Sequence, residues 1–78
     1  MPWFTCTVTK AGPAENGVIY IALRATDGSF NNWFQAVPNM EKEMLATALA
    51  AISGGKVVDA NLTDSAAYST VNRLYVSA

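Results

Sequence analysis

Only one stretch of this chain, Asn39 to Ser53, has helical spacing; the segments around it alternate with the period of a strand. One helix set between three strands and two leaves few ways to build a core. Trp3 to Thr9 places Phe4, Cys6 and Val8 on one face and Trp3, Thr5, Thr7 and Thr9 on the other. A turn-rich segment, residues 11–17, ends in Asn16-Gly17, a hairpin signal. Val18 to Thr26 follows, with Ile19, Ile21 and Leu23 opposite Val18, Tyr20, Ala22 and Arg24. Apolar groups on both faces predict a strand covered on both sides. After Asp27-Gly28, the strand Ser29 to Val37 sets Phe30, Asn32, Phe34 and Ala36 against Ser29, Asn31, Trp33, Gln35 and Val37.

Asn39 is the expected helix N-cap, Glu41 and Glu43 suit the positive end of the dipole, and Gly54-Gly55 stops the helix. Leu45, Ala48, Leu49 and Ile52 form one stripe, expected to face the sheet. Ala46, Ala50 and Ala51 behind it leave the second half without a charged face. A helix with one side in water should be polar there, so this one is expected to face another subunit. Lys56 to Leu62 and Ser69 to Val76 are the last strands, joined by the polar loop 63–67. The order β-β-β-α-β-β over residues 1–78 predicts a single, mainly β domain with one helix. Its expected form is a small five-stranded Greek-key barrel of the oligonucleotide/oligosaccharide-binding (OB) fold. An open sheet with one helix across a face and a swapped assembly are the competing topologies.

Composition supports self-association. Charged residues are 14% of the chain, against about 25% in soluble domains. High hydrophobic content with a net charge of -1 argues against disorder. The longest nearly apolar run, Met44 to Ile52, is nine residues, far below the ~20 of a membrane helix. The remaining explanation is surface covered by a second copy. Met1-Pro2-Trp3 leads straight into strand alternation without the opening of a signal peptide.

The residues for catalysis are missing. There is no histidine, and Cys6 is the only thiol, on a strand face suited to the core. Glu41 and Glu43 point in different directions from a helix and do not make an acid/base pair. No phosphate loop or metal-ligand spacing occurs. The expectation is a protein that is not an enzyme, with no catalytic residues, metal or cofactor. Trp3, Tyr20, Trp33 and Phe34 offer stacking surfaces for single-stranded nucleic acid. However, Lys10, Arg24, Lys42, Lys56 and Arg73 are scattered, and the pI is near 5.0. Carbohydrate fits better, because it needs aromatic faces with amides and hydroxyls and no net charge. Asn31-Asn32-Trp33-Phe34 supplies that mixture, with Asn61, Asp64, Ser65 and Tyr68 around the last loop. Core or interface packing is the competing role for Trp33. Asn61-Leu62-Thr63 also matches a glycosylation sequon.

In these segments the chain resembles the B subunits of bacterial toxins built from one A and five B chains, particularly the Shiga-toxin type. The likeness lies in Cys6-Thr7-Val8-Thr9 and in Phe30-Asn31-Asn32-Trp33, one residue shorter than the family's Phe-x-Asn-x-Trp-like stretch. It continues in the small-residue helix ahead of Gly54-Gly55-Lys56-Val57, and in Tyr68-Ser69-Thr70-Val71. The resemblance implies an OB-fold lectin-like homopentamer, with helices lining a pore and strands pairing between neighbours. It implies binding of cell-surface glycan through Asn32, Trp33 and Tyr68, with Asn61 near another contact. Membranes would be met only through glycan receptors, and a catalytic A chain is the implied partner. A secreted or periplasmic location goes with it. The family's intrachain disulfide has no counterpart here, and the Arg of its Asn-Arg-Trp triplet is absent. The alternative is a cytoplasmic assembly or adaptor protein of the same fold without a sugar site.

Overall fold

A computed structural model describes residues 2–77. The strands are β1 (Trp3–Pro13), β2 (Ile19–Ala25), β3 (Asn31–Ala36), β4 (Val57–Leu62) and β5 (Thr70–Val76), with α1 (Glu41–Gly54) between β3 and β4. They close in the order β1-β2-β3-β5-β4. This is the expected OB-type barrel. All neighbours are antiparallel except β3 and β5, which meet in parallel at Gln35↔Thr70 and Ala36↔Val71.

Closure depends on β1. Its first half, Trp3 to Thr7, pairs with β4, and Cys6 to Pro13 pairs with β2. The register shifts between Val8 and Lys10, an irregularity of the kind that bends one strand from one sheet into the next. Alternation places Phe4, Cys6 and Val8 on the inner face as expected, but β1 runs on past Thr9. The turn is only the tip, where Ala14 N–H donates to Val18 O (2.9 Å) and Gly17 N–H to Ala14 O (3.0 Å). Gly17 supplies the positive φ that this tip needs.

Phe34, Ile21, Leu23, Leu62, Val58, Val71 and Cys6 are fully buried. Phe30 links the inner faces of β1 and β3, edge-on to Phe4 (5.1 Å between centroids) and to Phe34 (5.5 Å). Among the described residues, no second layer covers the outer face of β2. Ala22 is buried there, but Arg24 is exposed.

The helix corrects two expectations. Met40 takes the N-cap position without a side-chain cap bond, while Asn39 adopts a left-handed φ of 73°. Asn39 therefore turns the chain after Pro38 and does not cap it. The core-facing stripe is Met44, Ala48 and Ala51. Of the predicted stripe only Ala48 is buried; Leu45 is half-buried, and Leu49 (46%) and Ile52 (41%) are exposed. The two stripes share Ala48 and otherwise stand one residue apart, each such step being about 100° of rotation. Alanine lets the helix axis come close to β1 and β5, the strands it mainly packs against. The C-terminus follows expectation, with Gly55 in the αL conformation. Among the described residues no helix is long and apolar enough to cross a membrane.

Candidate functional site

The outer face of β1, β2 and β3 is built in cross-strand rows. Gly12, Tyr20 and Gln35 form one row, and Lys10, Ala22 and Trp33 the next. The extension of β1 beyond Thr9 brings Lys10, Gly12 and Pro13 beside Tyr20. Together with Ala11, Ala14, Trp33 and Tyr68 they line an open cleft of about 460 Å³. Tyr20 and Tyr68 meet edge to face, 5.9 Å between centroids. Trp33 is 38% exposed and Tyr68 57%. This is an aromatic platform turned to solvent, with one cation at its side.

Tyr68 reaches the platform because the loop between β4 and β5 is tied to β3. Its N–H donates to Trp33 O, its own carbonyl accepts from Gln35 Nε2 at 2.9 Å, and Gln35 N–H donates to Ser69 O at 3.1 Å. Asn32 adds a fourth tie, donating from Nδ2 to Ser65 O at 3.0 Å. Tyr68 has a φ of 65°. That conformation costs a non-glycine residue about 1–2 kcal/mol, and the surrounding bonds hold it.

Of the four residues expected from sequence, Trp33 and Tyr68 converge on this cleft. Asn32 is on the opposite face of β3 from Trp33 by alternation, and its amide holds the loop. Asn61 does not line the cleft. It has the outward parity of Asp59 on β4, yet is only 6% exposed, between Trp3 and Arg73 in register. Its burial also removes the sequon from the surface. Lys10 and Pro13 were not expected: period two from Phe4, Cys6 and Val8 turns Lys10 inward, and the register shift between Val8 and Lys10 brings it to the outer row beside Ala22. Phe34, a suggested stacking residue, is fully buried, and Trp3 stacks on Tyr75 (5.6 Å, 28°) away from the cleft.

Burial, reinforced by the charges of Asp27 and Asp59, pushes the Cys6 thiol up to about 11. It is therefore protonated at neutral pH and enclosed in the core, a poor nucleophile. Among the described residues, no group of three or more Cys, Asp or Glu side chains could hold a metal ion. The cleft can stack against a flat or ring-shaped molecule and hydrogen-bond its rim. No family model, curated protein or solved structure matches this chain.

Proposed function

We propose that the chain is a non-enzymatic, ring-forming subunit of toxin-B type that binds cell-surface carbohydrate through the Tyr20–Trp33–Tyr68 cleft. The observation that carries this reading is the convergence of three aromatic side chains around one open cleft, with Tyr68 held in a strained backbone to complete it. Pyranose rings present apolar C–H faces that stack on such platforms, and their hydroxyls suit the amide and carbonyl rim. The outward stripe of Leu49 and Ile52 supports the self-assembly half of the reading. A five-membered ring, by the family resemblance, would repeat one weak site five times and bind through avidity. A catalytic A chain and glycan receptors on a membrane are the partners this reading implies.

The test joins a glycan array to solution mass by light scattering. The expected result is glycan binding by a stable oligomer, lost in Trp33→Ala while the mass is unchanged. Loss of the oligomer in that variant would assign Trp33 to packing. An oligomer with no array hits at high concentration would favour the second reading, a cytoplasmic assembly or adaptor protein. That reading draws on the helix stripe alone, which needs no sugar site.

A further inference from the structure

A second hollow adjoins the cleft on the other side of Trp33. It measures about 310 Å³ and is lined by Thr9, Lys10, Ala22, Asn31, Asn32 and Trp33. Trp33 and Lys10 line both hollows. They flank Ala22 in a single cross-strand row, so the smallest side chain of the row forms a saddle between them. Along the groove the chemistry changes. Tyr20 and Tyr68 supply ring faces at one end, Asn31 and Thr9 supply amide and hydroxyl groups at the other, and Lys10 stands at the waist.

Lys10 is the one charged side chain among the residues that line the two hollows. A neutral sugar spanning the groove would offer that ammonium only a hydroxyl acceptor. A carboxylate placed there would accept a charge-assisted hydrogen bond, stronger than a neutral one. Among the described residues, no carboxylate lines the groove to compete for it or to repel the ligand. Each hollow falls within the roughly 300–1,000 Å³ of small-ligand sites, so the groove has room for more than one ring.

We infer that the groove takes an acidic glycan of at least two rings, lying across Trp33 with its carboxylate against Lys10. This rests on the carbohydrate-binding reading and specifies its ligand class. One ring sits against Tyr20 and Tyr68, and the next sits among Thr9, Asn31 and Asn32.

The test is calorimetric titration of the full chain with two acidic probes, sialyllactose and a hyaluronan tetrasaccharide, and two neutral ones, lactose and chitotriose. Lys10→Gln and Lys10→Arg are measured alongside, with oligothymidine as the competing polyanion. Lys10 is exposed, so neither variant should disturb the fold, and an unchanged solution mass checks this. The expected result is that an acidic probe binds about tenfold more tightly than the neutral ones. Lys10→Gln should abolish that preference, Lys10→Arg should keep it, and added salt should weaken acidic binding alone. Equal binding of neutral and acidic probes, indifferent to Lys10→Gln, would overturn the inference and leave carbohydrate binding standing. Binding of no sugar would overturn both, and preference for oligothymidine over every sugar would do the same.

Discussion

The three-strand sheet β1–β2–β3 and the helix α1 enclose the same core by opposite means. The sheet turns large side chains inward, among them Phe34, Ile21 and Leu23, and sets Trp33 and Tyr20 outward among polar neighbours. The helix turns Ala48 and Ala51 inward and leaves Leu49 and Ile52 outside. Outward apolar surface therefore has two meanings in this molecule. On the sheet it is part of a shaped, hydrogen-bonded cleft, which suits a small ligand. On the helix it is an exposed stripe of Leu49 and Ile52, which suits a broad contact with another protein surface.

The comparison can be broken most severely from the inside. Phe34→Ala removes the largest fully buried side chain and is expected to cost about 3–5 kcal/mol. Much of the stability of a domain this size would be lost, and urea denaturation would read it as a lower midpoint. By contrast, Leu49→Glu is expected to change the stability of the isolated subunit by less than about 0.5 kcal/mol. Light scattering on a dilution series should nevertheless show the oligomer dissociating. An unchanged mass would end the proposed role of the helix stripe.

The smallest effect concerns Cys6 inside the barrel. Its thiol is raised from 9.0 to about 11 on folding, so the folded state favours the protonated form. Its contribution is fully present below pH 9 and declines as pH rises from 9 toward 11. Thermal melts across that range should fall more steeply for the native chain than for Cys6→Ala. Parallel slopes would show that the thiol does not govern alkaline stability.

The strands were legible wherever period two runs unbroken by a register shift. Phe4, Cys6 and Val8 on β1, and Phe30, Phe34 and Ala36 on β3, all turn inward as their spacing requires. The helix was not legible to the same depth. With no charged face in its second half to oppose the apolar one, periodicity yields two candidate stripes, and side-chain size points to the wrong one. Close approach to the barrel selects Ala48 and Ala51 over Leu49 and Ile52, and that constraint exists only in three dimensions. In the candidate site, Trp33 and Tyr68 were recoverable as solvent-facing aromatics near turns. Asn32 and Trp33 alternate along β3, yet both line the second hollow. Lys10 stayed hidden because the register shift after Val8, which turns it outward, leaves no mark in the alternation.

The divided pairing of β1 has a consequence for how the chain is made. Trp3 to Thr5 finds its ladder partners only in β4, and the Thr5–Asp59 hydrogen bond spans 54 residues. The hairpin of β1 and β2 closes locally and early, whereas the first half of β1 must wait for most of the chain to emerge. Throughout synthesis that half presents an unpaired edge, with Trp3 at its tip. Such an edge invites pairing with the wrong chain, and arrival of β4 is the event that ends this exposure.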